Sequence, residues 1–210
     1  MEATQSNPDI ATYTTRIACR ACGVKALTSV LDLGECELPR FPETNEEVIP
    51  KAPLHLVRCA SCGLLQLEHS VDPDLLFRSY YYRSSINQSM REALKDLVDS
   101  ALVFASGGVW LDIGANDGTL LSYVPANFGK IACEPALDFT EGLKEYADHV
   151  IPDYFSAKAV WEKCDVITSA AMFYDLDDPN EFVADIASTL SADGVWVNQL
   201  NDSPTMLKRN

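Results

Sequence analysis

Hydrophobic and polar positions follow two rhythms along this chain, and the change falls near residue 105. In the first part the apolar runs are short. Residues 27–33 and 54–59 read as strands, and the Pro- and Glu-rich stretch 39–53 between them reads as a loop. Residues 75–82 (LLFRSYYY) then gather four aromatics. Ser85-Ile-Asn-Gln88 has the form of a capping box, with Ser85 as N-cap. Ile86, Met90, Leu94, Leu97 and Ala101 recur at helical period, which predicts a helix over 86–104.

Beyond residue 108, strand-like and helix-like segments alternate. The pattern predicts strands at 109–113, 130–134, 149–151, 165–169 and 195–200. Between them it predicts helices opening at 119–123, over 136–147 and over 179–191, the last starting after Asp178-Pro179. Strands alternating with helices imply an α/β domain with a parallel, doubly wound, Rossmann-like sheet of about five strands. The expected layout is a flexible tail 1–15, a small β domain 16–74, an aromatic segment and connector helix 75–105, and the α/β domain 106–210.

Seven cysteines change the picture of the first domain. Cys19-Arg-Ala-Cys22-Gly23 and Cys59-Ala-Ser-Cys62-Gly63 share the pattern C-x-x-C-G. Two residues between thiolates let one tight turn aim both sulfurs at a single ion, and the following glycine permits the positive φ such a knuckle needs. Two knuckles make a tetrahedral four-sulfur site, which suits Zn²⁺. With every position filled by a thiolate, the site holds a fold together and leaves no place for a catalytic water. Disulfides, a redox C-x-x-C and an iron–sulfur cluster are the alternatives for the same residues. Cys36, Cys133 and Cys164 lack partners at useful spacing, and the last two sit in apolar runs as small hydrophobes.

The 210 residues carry 16 Lys and Arg against 31 Asp and Glu, a net charge of −15. The imbalance is −4 over residues 1–100 and −11 over 101–210. Such a surface repels a polyanion, so a general nucleic-acid binder is not expected. No apolar run approaches a membrane span, and no secretory signal is visible at the start, which predicts a cytoplasmic protein.

In doubly wound sheets ligands bind at the carboxyl ends of the strands. Asp112, Glu134 and Asp153 fall at those ends, beside the turn Gly114-Ala-Asn-Asp-Gly118. Glu134 lies 22 residues after Asp112, where an acid accepts from ribose hydroxyls, and Asp153 is placed to accept from an adenine amino group. The turn reads D-x-G-x-x-D-G and not G-x-G-x-x-G. Asp112 and Asp117 crowd it with negative charge, which repels a pyrophosphate and suits a cation. S-adenosylmethionine, with a sulfonium, an ammonium and no phosphate, fits that charge logic.

Taken in order, VLDLGECELPRF, VRCASCGLLQL, LFRSYYYRSS, LDIGANDGTLL and CEPA resemble bacterial S-adenosylmethionine-dependent C-methyltransferases that act on nucleotide-linked deoxysugars. The resemblance runs from about Arg16 to Asn210. It implies a small zinc-binding domain with Cys19, Cys22, Cys59 and Cys62 as ligands, followed by a class I methyltransferase domain. It implies that Asp112, Gly114, Asn116 and Gly118 surround the methionine part of the cofactor, that Glu134 binds ribose and that Asp153 binds adenine, with Asp117 also counted among the cofactor-binding residues. Ser169 and Ala170 would line the sulfonium side, and Tyr80 and Tyr82 would contact the substrate. Many members carry a His shortly after the fourth strand, where Asp175 stands here. No residue stands out as general base, since His149 begins a strand. Members continue well past the position of Asn210, so the chain reads as the N-terminal part of a longer enzyme. A different methyltransferase chemistry on oxygen or nitrogen, a nicotinamide-dependent reaction and a non-catalytic zinc- and nucleotide-binding module remain the competing readings.

Overall fold

A computed structural model describes residues 13–42, 44, 47–202, 205 and 208. Two compact units divide between Tyr81 and Tyr82, inside the stretch expected as a connector.

In the first unit, β2 (Leu27–Glu37), β3 (Lys51–Cys59) and β4 (Leu65–Leu67) form an antiparallel sheet with β3 in the middle. A two-stranded ribbon joins β1 (Tyr13–Thr15) to β5 (His69–Val71), and the short helix α1 (Pro73–Phe77) follows. Both expected strands run longer than the sequence suggested. The stretch 39–53 is not loop throughout, because Lys51, Ala52 and Pro53 pair with Glu37, Cys36 and Glu35. Pro53 is tolerated there because β4 runs beside only Leu56, Val57 and Arg58. Residues 13–15 are likewise strand and not tail, while 1–12 lie outside the described residues. The apolar cluster is small: Leu38 and Ala52 are buried, with Tyr13, Ile49, Val71 and Leu76 packed around them.

The second unit opens with α2 (Gln88–Ala101). Its N-cap is Asn87, whose side chain accepts from the Ser89 N–H at 3.0 Å, so the expected capping box on Ser85 does not form. Ile86, Val103 and Phe104 lie outside the helix and are exposed, while Leu94, Leu97, Val98 and Ala101 carry its buried face. The sheet follows: β6 (Gly108–Ile113), β7 (Phe128–Cys133), β8 (His149–Ile151), β9 (Cys164–Ala170) and β10 (Leu190–Gln199). All neighbours are parallel, in the order β10-β9-β6-β7-β8. Helices α3 (Thr119–Tyr123), α4 (Thr140–Leu143) and α5 (Pro179–Thr189) lie between strands. The expected helix over 136–147 is only a 3₁₀ turn at Leu137–Phe139 joined to the four residues of α4.

Alternation along β6 decides which residue goes where. Leu111 and Ile113 join Ile131, Cys133, Ile167, Phe182 and Ile186 in one buried cluster. Trp110 and Asp112 point to the opposite face, where the Trp110 indole N–H donates to Thr168 Oγ1 at 3.0 Å and Thr168 donates on to Asp112 Oδ1 at 2.7 Å. Cys133 and Cys164 are buried as expected, and burial pushes both thiols up, Cys164 to about 12. Asp178 accepts from the N–H groups of Asn180 and Glu181 ahead of α5, with Pro179 in the first turn.

Candidate functional site

The four knuckle cysteines converge. Their sulfurs all lie within 4.8 Å of one another, with Cys19 against Cys62 and Cys22 against Cys59 at 3.6 Å each. The knuckles are built alike. Gly23 and Gly63 donate back to the carbonyls of Cys19 and Cys59 at 2.9 and 3.0 Å, with φ of +72° and +83°. Both fall in the left-handed region that the spacing predicted. All seven cysteines are free thiols, so the disulfide alternative does not hold for this cluster. Burial raises the Cys19 thiol, but N–H donors from Cys22, Ala21 and the Gln66 amide outweigh it and bring it down to about 6. Against the Leu64 N–H, which lowers it, the neighbouring Cys19, Cys22 and Cys59 sulfurs together with loss of water push Cys62 up to about 11. Donors that stabilise thiolates, together with mutual repulsion when all four are charged, are the demands a divalent cation satisfies. Four sulfurs at this separation fit Zn²⁺. Arg20 ties the first knuckle down, reaching Gln66, the Leu67 carbonyl and Ser70.

In the second unit the strand order reverses between β6 and β9, which opens a crevice beyond their carboxyl ends. Residues 114–118 lie at the end of β6 and residues 170–172 at the end of β9. Met172 packs against Gly114, where an added Cβ would meet its Cγ at 3.4 Å. Gly118 has φ of +80°, and an added Cβ would come within 2.5 Å of the Tyr146 ring, so both backbone and packing demand glycine.

Asp112 and Glu134 lie close enough for their charges to interact, and the carboxylates differ in surroundings. Asp112 is 2% exposed, and burial, reinforced by the nearby Glu134 charge, pushes it up to about 7 against the Thr168 hydrogen bond. Glu134 is 6% exposed; burial raises it against the N–H groups of Ala136 and Asn116, which donate to its two oxygens at 2.8 and 2.7 Å. Asp153 follows β8, exposed, and accepts from the Tyr154 N–H at 2.9 Å. Asp117 is held below the usual carboxylate range because bonds from Thr119 and Ser85 outweigh its partial burial. Ser169 faces β10, donating to Asn198 Oδ1 and accepting from Trp196 Nε1, with Ala170 next to it. Asp175 sits in the turn Phe173–Asp175 beyond β9, and loss of water around its carboxyl pushes it up to about 6. Tyr82 brings its carbonyl to Asn116 Nδ2 at 3.0 Å. Tyr80 belongs to the first unit, beside Phe77 and Tyr81. His149 stacks edge-on to Trp161 at the amino end of β8, and His55 and His69 lie in the first unit around Glu68.

The residues fit a cationic cofactor better than a phosphorylated one. Two buried carboxyls with raised proton affinity line the crevice, and the peptide N–H groups of Gly114, Ala115, Asn116 and Gly118 are already taken by Cys133, Glu134 and Ala115. Few donors are left for a pyrophosphate. Sequence reasoning missed what Asn116 and Asp117 do with their side chains. Their partners lie 32–34 residues upstream, in 82–85, and no periodicity announces such a contact.

An α/β unit of this strand order, with a glycine turn after its central strand and an acid after the next, has the class I methyltransferase fold. Residues 83–205 match the family described as a methyltransferase domain, and the chain belongs to that family. Residues 19–77 match a family described as a zinc binding domain. Among curated proteins, the C-methyltransferase NovU of Streptomyces niveus is 24% identical over 205 residues, covering 91% of this chain and 49% of that protein. The chain thus spans about half the length of this relative. Solved structures with a similar fold include an S-adenosylmethionine-dependent methyltransferase from Clostridium acetobutylicum (TM-score 0.44, 14% identity, 51% of this chain and 49% of that one). Another is the N-methyltransferase NodS from Bradyrhizobium japonicum in complex with S-adenosyl-L-homocysteine (TM-score 0.46, 16% identity, 54% and 62%). No helix among the described residues is long and apolar enough to cross a membrane.

Proposed function

We propose that this chain carries the zinc- and cofactor-binding parts of an S-adenosylmethionine-dependent methyltransferase that methylates a carbon of a nucleotide-linked keto-deoxysugar. The observation that carries the reading is the pairing of two features in one chain. A four-thiolate knuckle cluster precedes a crevice lined by Asp112 and Glu134 and poor in phosphate donors. The likeness to a C-methyltransferase along 91% of the chain supports the carbon acceptor. A small-molecule substrate fits the acidic surface, and nucleic acid does not. Free zinc-binding thiols suit a reducing compartment, which favours the cytoplasm.

Within that reading each residue has a task. Glu134 keeps a lone pair on each oxygen for ribose hydroxyls, and Asp153 takes the adenine amino group. Asp112, Gly114 and Gly118 frame the methionine end, while Ser169 and Ala170 line the sulfonium side. Tyr82, whose carbonyl is held by the Asn116 amide, contacts the sugar. S-adenosylmethionine, when bound, supplies an electrophilic methyl group. Carbon becomes nucleophilic when a base removes the proton next to the keto group and donors stabilise the enolate oxygen. The protein holds the reacting carbon in line and keeps water away.

The test is transfer of labelled methyl from S-adenosylmethionine to a nucleotide-linked keto-deoxysugar, followed by NMR of the product. The reading expects label on carbon. Label on oxygen or nitrogen makes the protein a methyltransferase of another class. Cofactor binding with no transfer to any acceptor makes it a binding module.

A further inference from the structure

Among the described residues, Asn116 is one of two non-glycine residues with positive φ, at +51°, and it is 8% exposed. Three hydrogen bonds leave it in three directions. Its backbone N–H donates to Glu134 Oε2 at 2.7 Å. Its amide oxygen accepts from the Ser84 N–H at 2.9 Å, and its amide nitrogen donates to the Tyr82 carbonyl at 3.0 Å. Asp117 extends the hold by accepting from the Ser85 N–H at 3.0 Å. On the other side, the Arg83 guanidinium lies 5.0 Å from the centre of the Phe139 ring. That ring follows Ala136, whose N–H donates to the second oxygen of Glu134 at 2.8 Å. Residues 82–85 therefore form a strap pinned on both sides to groups that meet at one carboxylate.

We infer that Asn116 is a positioning residue that couples this strap to occupancy of Glu134. The inference rests on the reading of Glu134 as the ribose-binding acid. A hydroxyl donating to Glu134 fixes its carboxylate, and the fixed carboxylate fixes the Asn116 N–H. The Asn116 amide then holds the peptide groups of Tyr82 and Ser84. No large movement is needed; the strap opens less often. The side chain is specific to the task. Asp keeps an acceptor for Ser84 but presents no donor to the Tyr82 carbonyl, and Ala removes both bonds. Asparagine also tolerates the left-handed backbone that aims the amide at the strap.

The Arg83–Ser84 bond gives a direct readout, because Arg83 is exposed and trypsin cuts after arginine only where the backbone opens. The experiment follows cleavage at that bond by mass spectrometry in the full chain, with and without S-adenosyl-L-homocysteine, whose binding is measured separately by calorimetry. Cleavage after Lys95, in the middle of α2 and paired with Asp99 on the same helix, reports general loss of fold. The ligand is expected to slow cutting after Arg83 about fivefold or more in the wild type. Asn116→Ala is expected to speed it about tenfold or more without ligand, with the Lys95 site unchanged, and Asn116→Asp to fall between the two. The bound ligand then no longer protects Arg83 in Asn116→Ala. Equal cutting in wild type and Asn116→Ala, or equal protection of both by bound ligand, overturns the coupling alone. Failure of the ligand to bind the wild type overturns the cofactor reading and the coupling with it.

Discussion

The two units hold themselves together by different means. The first has a thin apolar core, with Leu38 and Ala52 in one small cluster and Val57 the other buried aliphatic among its described residues, and its longest strand, β2, exposes Val30, Leu31 and Leu33. The second buries Leu111, Ile131, Ile167, Ile186 and their neighbours in one cluster around a parallel sheet. A unit of this small size seldom gains enough from apolar burial alone, and four thiolates on one ion make up the difference. The larger unit needs no such staple. Metal dependence should therefore be local to residues 13–81, and sensitivity to core mutation should be concentrated in the sheet.

Removing the metal is the strongest way to break that contrast. Cys59→Ser, or treatment with a strong chelator, should abolish a binding energy on the order of 10 kcal/mol. Zinc content should fall from one ion per chain to none, and the backbone NMR dispersion of residues 13–81 should collapse while that of the sheet persists. Collapse of both together would make the metal a global staple.

The reverse experiment attacks the sheet. Trp110→Ala removes a fully buried ring and the donor to Thr168, and should cost about 3–5 kcal/mol in urea unfolding with zinc content unchanged. Trp110→Phe keeps most of the ring, loses the indole N–H, and should cost about 1 kcal/mol. Gly118→Ala sets a Cβ against Tyr146 at a left-handed position and should cost about 1–3 kcal/mol, with weaker S-adenosyl-L-homocysteine binding.

The smallest effect is one of pH. Burial raises Asp112 from the ordinary carboxylate range to about 7, so the folded protein holds a proton there that the unfolded chain releases near pH 4. Stability from this group is therefore full below pH 4 and declines as pH rises towards 7. Relative to the wild type, Asp112→Asn should be more favourable at pH 8 than at pH 4 in denaturant titrations. A difference between variant and wild type that does not change with pH would contradict the assignment.

Much of this architecture was legible in the chain. The paired C-x-x-C-G motifs announce converging sulfurs because two short loops suffice to build each half of the site. The parallel sheet shows through because its strands are apolar runs broken by turn residues. Other features depended on competition that a pattern does not reveal. Asn87 won the cap of α2 over Ser85 because Ser85 gives its N–H to Asp117, far away in sequence. The expected helix after Glu134 broke into short pieces, and the turn at Ala136 donates to the Glu134 carboxylate. Asn116 reads as a turn residue in sequence, and only the fold brings Tyr82 and Ser84 to it.

The proposed role of Glu134 is to bind the adenosyl cofactor in the crevice at the carboxyl end of β7. The most direct test is calorimetric titration of S-adenosyl-L-homocysteine into the wild type and Glu134→Ala, repeated with NAD present. One site per chain, no displacement by NAD, and binding weakened about tenfold or more in Glu134→Ala are expected. No binding by the wild type, competition from NAD, or unchanged affinity in the variant would contradict that role.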